Sequence, residues 1–179
     1  MKINKTTHLA FLLLFSFTCM AEVQTNANPL ATMTPYNGLH NPGVDTTTIH
    51  GKVMCGYQGW FTAPNDGSGA QWHHYSPKHR VIKPGYIGVD LWPDMSEMDV
   101  DEKYPTPFKN ADGSTAYLFS SYNKKTVNRH FSWMKDYNID GVFLQRFGTE
   151  IKNPLLYKRR NTITRHVQAA ANQNGRTWA

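Results

Sequence analysis

Apolar and polar positions change rhythm along the second half of the chain in a way that separates helices from strands. Val127, Phe131 and Met134 recur at i, i+4 and i+7, which is one face of a 3.6-residue helix. Asn123 stands ahead of them as a cap and Asn138 follows as a stop, so a helix is predicted from Asn123 to about Tyr137. Gly141 to Gln145 is then a short unbroken apolar run, the pattern of a strand buried on both faces. A second helix is predicted behind Asn153, with Pro154 at its first position, where a missing N–H costs nothing. Leu156, Ile163, Val167 and Ala170 keep one of its faces apolar, and Asn174-Gly175 ends it. Arg176 to Ala179 begins like another strand.

Upstream the signals are shorter. Lys52 to Tyr57 reads as an apolar strand, and Gly56 and Gly59 mark a sharp turn or a close approach of backbone. Ala63 to Ser76 is a loop that carries Pro64-Asn65-Asp66-Gly67 turn chemistry and then Trp72-His73-His74-Tyr75. Tyr86 to Trp92 reads as extended until Pro93, and Asp112-Gly113 turns the chain into the apolar run Ala116 to Ser121. Strand, helix, strand, helix, strand is the order of a parallel α/β arrangement. Parallel strands need neighbours on both edges and helices over both faces, and the last strand breaks off at Ala179. Two or three βα units cannot close a barrel, so the chain is expected to be the truncated N-terminal part of a larger enzyme.

The first residues have a different character. Lys2 and Lys5 precede a 12-residue apolar run from Leu9 to Met20, too short for the ~20 residues of a membrane span. Residues 1–21 therefore read as a secretory signal peptide cut after Ala21, and the protein as secreted or periplasmic, with no integral membrane span. The competing reading is a lipoprotein signal with Cys19 lipidated. Residues 22–50, rich in Thr, Asn and Pro, are expected to form an extended lead-in. Removing the leader leaves 17 basic against 13 acidic residues and Cys55 as the one cysteine, so no disulfide framework is available. Cys55 sits in an apolar run and reads as an inert thiol.

Composition narrows the chemistry by exclusion. No His/Cys spacing suits a metal, no Gly-rich loop suits a phosphate, and no Gly-x-Ser-x-Gly elbow is present; neither a metal nor another cofactor is expected. Six of the 13 acidic residues fall between Asp90 and Glu102, but without the ligand spacing of a calcium loop, so they read as a solvated acidic face. Lys158-Arg159-Arg160 and Arg165 give the last helix a basic outer face. Binding nucleic acid needs a broader basic patch with aromatics interleaved, and none is expected. What the sequence has in excess is aromatic residues, 13% of the chain, which suits a sticky cleft.

Several runs resemble, in order, those of the glycoside hydrolase family 71 and 99 group. The first is Lys52-Val53-Met54-Cys55-Gly56-Tyr57-Gln58-Gly59-Trp60-Phe61, and the second is the loop ending in Trp72-His73-His74-Tyr75. Asp90-Leu91-Trp92-Pro93-Asp94 and Phe119-Ser120-Ser121-Tyr122-Asn123 follow, then His130-Phe131-Ser132-Trp133-Met134 and Asp140-Gly141-Val142-Phe143-Leu144-Gln145-Arg146-Phe147. The resemblance covers residues 50–179. It implies a (β/α)8 barrel, of which residues 51–179 would be the first βα units. It also implies an exported glycosidase acting on α-linked polysaccharide or glycan, since family 99 contains endo-α-mannosidases and family 71 contains α-1,3-glucanases. In that group the catalytic carboxylate pair lies on later strands. It is therefore expected beyond the end of this chain, and the chain alone is expected to be inactive. The alternative is a non-catalytic carbohydrate-binding protein with the same aromatic cleft.

Barrel enzymes place their sites where strands end, which selects Tyr57, Gln58 and Trp60 after the first strand and Gln145 and Arg146 after the next. Trp72, His73, Asp90 and Trp92 complete the predicted substrate-binding set. Flat rings suit the C–H face of a sugar and fixed polar groups suit its hydroxyls.

Overall fold

The computed structural model describes residues 38, 41 and 43–179 apart from 79; the predicted leader with Cys19, and most of the lead-in, lie outside them. Strand β1 is Met54–Tyr57, β2 Tyr104–Lys109, β3 Thr115–Leu118, β4 Gly141–Leu144 and β5 Thr177–Trp178. Helix α1 is Lys124–Asp136 and α2 is Pro154–Asn174, with 3-10 turns at Val100–Glu102 and Gly148–Lys152. The helix ends follow the predicted chemistry. The Asn123 carboxamide oxygen accepts the Lys125 N–H at 3.0 Å, and that of Asn153 accepts the Leu156 N–H at 3.0 Å. Gly175 closes α2 in the left-handed region at φ 62°.

Three strands form a parallel sheet in the order β1-β4-β5, with Met54 opposite Gly141 and Gly141 opposite Thr177. Both helices lie over one face, where Val142, Phe131, Val127, Ile163 and Val167 form the first core, with Tyr57 at its edge. The side chains at Met54, Phe143 and Thr177 belong to the opposite face by the alternation of strands, and Phe143 is 45% exposed.

The barrel expectation is overturned. The described residues hold two small sheets and no closed barrel, and they are not a portion of one. In a (β/α)8 unit each strand runs into a helix, whereas β1 runs into loops and then an antiparallel hairpin, β2 paired with β3, before α1 begins. The hairpin escapes a sequence reading because Pro105 and Pro107 fall inside β2, where prolines usually argue against a strand. Both lie on its exposed side, while Thr106 points inward and is buried. A two-stranded sheet has only edge strands, so the missing N–H groups face no partner. The stretch predicted as extended, 86–92, carries only the isolated bridge between Lys83 and Tyr86. The hairpin and this stretch enclose a second core of Trp72, Tyr75, Ile82 and Leu118. Among the described residues no helix is long and apolar enough to cross a membrane.

Gly59 makes the close approach that its sequence context suggests. A Cβ there would lie 2.7 Å from Ile163 Cγ2, a branched methyl held in the core at 1% exposure. Gly59→Ala is therefore expected to lower stability by about 1–3 kcal/mol through overpacking. Urea denaturation of the two proteins measures this, and an unchanged midpoint would contradict it.

Candidate functional site

The carboxyl ends of β1 and β4 bring part of the predicted set together. The Trp60 indole N–H donates to the Gln145 carbonyl at 3.2 Å, and His73 Nδ1 lies 3.5 Å from the Trp60 carbonyl. The Trp60 ring is flanked by His74 at 4.9 Å and Phe147 at 4.8 Å. Gln71 and His74 hold positive φ values of 58° and 66°, uncommon for residues with a Cβ, so the loop presents its imidazoles in a fixed pose. Burial pushes both histidines below their ordinary value, His74 down to about 4, with His73 and Arg160 adding to the effect. Both imidazoles are neutral at pH 7. Gln58, which follows β1 directly, is exposed.

Arg146 is spent on its own chain. It donates to Glu150 at 2.8 Å, to Thr164 at 2.8 Å and to Asn161 at 3.2 Å. Glu150 is buried at 2% exposure and also faces Arg160, Nε to Oε1 at 3.4 Å. Arg160 is itself 4% exposed and donates to the Gly59 carbonyl at 2.8 Å. The expected basic outer face of α2 is thus split: Lys158 and Arg165 are exposed, whereas Arg160 is internal and Arg159 donates to the Ser68 carbonyl.

Tyr57 points inward and is 8% exposed. Its hydroxyl lies 2.9 Å from His130 Nδ1. Burial raises the phenol and lowers His130 to about 4, so both are neutral at pH 7. The hydroxyl and Nδ1 share one hydrogen bond, whose direction follows the imidazole tautomer.

His130 is where the strand ends connect to a cleft. His130, Trp133 and Tyr137 follow at i, i+3 and i+7 on one side of α1, and with Phe119 they form the aromatic wall of a cavity of about 410 Å³. The opposite wall is the segment from Pro93 to Met98. Glu97 Oε2 accepts the Trp133 indole N–H at 2.7 Å, which fixes both side chains at the mouth. Asp94 accepts the Ser96 backbone N–H at 2.8 Å, and this bond with that of the Ser96 hydroxyl holds its carboxyl below the ordinary value. Ring contacts run unbroken from the strand ends into the cleft. They pass from Trp60 to His74, then Phe61, Phe119, His130 and Trp133, each step between 4.9 and 6.0 Å.

The remaining predicted residues lie apart. Trp72 is 8% exposed and sits in the second core against Tyr75. Asp90 is exposed and lines neither this cleft nor the one beside the hairpin. Trp92 is 37% exposed and belongs to the hairpin side, its indole N–H on the Tyr117 carbonyl at 3.0 Å. The cleft residues Phe119, His130, Trp133, Tyr137, Asp94 and Glu97 fall outside the predicted set. The signal available for His130, Trp133 and Tyr137 is their stripe along α1 next to the apolar one, an aromatic and imidazole series too regular for a purely solvated face; Phe119, Asp94 and Glu97 carry no such pattern.

The acidic run is not wholly solvated. Glu102 is fully buried, and Asp99, Asp101 and Glu102 bring carboxylate oxygens within 4.8 Å of one another. Lys125 and Arg129 of α1 supply the counter-charge, at 2.6–2.9 Å. No protein-family model matches the chain, and neither a curated protein nor a solved structure matches it.

Proposed function

We propose that the protein is an exported carbohydrate-active protein that binds glycan in the cleft between α1 and the Pro93–Met98 segment. The observation that carries this reading is the makeup of the cleft. Phe119, Trp133 and Tyr137 offer ring faces, while Asp94, Glu97 and His130 offer fixed polar groups in the same cavity of about 410 Å³. A sugar ring presents an apolar C–H face and an equatorial rim of hydroxyls, and a site for it needs both kinds of surface together. The order of motifs resembling the family 71 and 99 group supports an α-linked glycan as ligand. The leader-like first 21 residues support export.

Hydrolysis is a second reading, favoured by one observation: two carboxylates, Asp94 and Glu97, line the same cleft, and glycoside hydrolysis generally uses two. Ser96 holds the Asp94 carboxyl below its ordinary value, and Asp94 and Glu97 are the two carboxyl groups this reading would use.

Calorimetric titration of the purified protein with oligosaccharides from α-mannan and α-1,3-glucan tests binding. Trp133→Ala is expected to weaken the affinity about tenfold, the worth of one well-stacked ring. Absence of binding by the unmodified protein to either series would sink the carbohydrate reading. Reducing-sugar release that Glu97→Gln abolishes would establish hydrolysis; binding without release leaves a recognition protein.

A further inference from the structure

Resting on the carbohydrate reading above, the geometry points to an extended site: the ligand is a neutral glycan chain that runs from the aromatic cleft across the Pro93–Ser96 segment into a second cavity against the β2–β3 hairpin, where Trp92 is its stacking platform. The second cavity measures about 510 Å³ and shares Pro93, Asp94 and Ser96 with the first. The two are therefore neighbours on either side of one short segment. A single sugar ring would occupy one of them and leave the other to water, whereas a linear chain fills both.

The two cavities differ in chemistry. The first is walled by rings, and the second is lined by Lys103, Asn110, Ser114, Thr115 and Tyr117, with Trp92 at its edge. Hydroxyl, amide and ammonium groups of this kind match a rim of sugar hydroxyls. Lys103 is half-buried and forms no ion pair among the described residues, so its ammonium can donate to a ligand. Asp94 at the shared border offsets that charge, which favours an uncharged chain over an acidic one.

Trp92 is built as a platform and not as a loose surface ring. Its indole N–H is held by the Tyr117 carbonyl at 3.0 Å, and one side of the ring leans on Phe108, centroids 5.3 Å apart. The ring is fixed before any ligand arrives, so stacking on it costs little side-chain entropy. Trp92 has 37% of its surface in solvent, enough for a sugar to lie against.

The test is a length series of α-linked oligosaccharides, from one ring to six, titrated into the purified protein. Affinity is expected to rise with length until both cavities are filled. Trp92→Ala is expected to lower the affinity for the longest ligands about tenfold and to leave one- and two-ring ligands unchanged, whereas Trp133→Ala weakens every length. Lys103→Gln, which touches none of the hairpin's hydrogen bonds, must give the same length-selective loss and decides the matter if Trp92→Ala fails to fold. Equal affinity for short and long ligands, or loss at every length in Lys103→Gln, would overturn the extended site while leaving the aromatic cleft standing. No binding at any length would overturn the carbohydrate reading itself.

Discussion

Arg129→Ala is expected to cost about 3–5 kcal/mol of folding stability, because it leaves a buried carboxylate without its counter-charge. Glu102 is 0% exposed. Arg129 Nε donates to its two oxygens at 3.1 and 3.0 Å, and Nη2 donates to Oε2 at 2.6 Å and to Asp99 at 2.9 Å. Burial alone would push the Glu102 carboxyl up. The Arg129 fork and the Asp99 backbone N–H outweigh burial and hold it below its ordinary 4.5. A carboxyl lowered in the folded state stabilises the protein fully above 4.5, and that stability is lost as pH falls from there through the folded value. Stability of the unmodified protein should therefore decline below about pH 4.5, and Arg129→Ala should remove this part of the decline. Urea denaturation across pH measures both effects. The double variant Arg129→Met with Glu102→Leu should recover much of the loss at pH 7, since the buried charge is then gone as well. A single variant within 1 kcal/mol of the unmodified protein would refute the assignment.

The same network bears on the cleft. It pins the 3-10 turn Val100–Glu102 to α1, and the turn directly follows the segment that carries Glu97 and Met98 to the cleft wall. Lys125 adds to it from the surface, raised to about 12 chiefly by its hydrogen bonds to Asp101 and Asp99. Exposed pairs of this kind are screened by water and contribute little to folding. Glu102 with Arg129 is the part that holds the wall.

What could be read from the sequence is what neighbouring residues decide among themselves. Asn123, Asn153 and Gly175 act on backbone groups within a turn of their own position, and all three stand where the pattern puts them. The parallel pairing of Met54–Tyr57 with Gly141–Leu144 follows from two short apolar runs separated by a helix. Two prolines hide β2, because the sequence does not tell that their side of the strand faces solvent. Glu102 reads as one more acid in a polar run, because its partner lies 27 positions away on another element. The site divides in the same manner. Trp60, His73 and Gln145 do gather at the strand ends. The cleft, by contrast, depends on how a segment without regular structure folds back on the aromatic side of α1, and no local pattern encodes that return.

Phe131→Ala should destabilise the protein by about 3–5 kcal/mol, on the scale of a small domain's whole stability of about 5–15 kcal/mol. Phe131 is fully buried between the parallel sheet and α2, in one cluster with Val142, Ile163 and Val167. Its ring lies 5.8 Å from that of Tyr57, so truncation opens a cavity that backbone cannot close from either side. The loss has a functional consequence. Tyr57 is held by Phe131 on one side and by His130 on the other, and its hydroxyl orients the imidazole that lines the cleft. Phe131→Leu keeps most of the apolar volume and should cost less than half as much. Denaturant midpoints of the two variants, followed by tryptophan fluorescence, give the comparison directly. Equal losses would mean that the site collapses around the smaller side chain, and that packing at Phe131 does not set the pose of His130. A large loss for Ala with a small one for Leu, joined by weaker glycan binding in Phe131→Ala at temperatures where it remains folded, would tie the core beneath the sheet to the cleft above it.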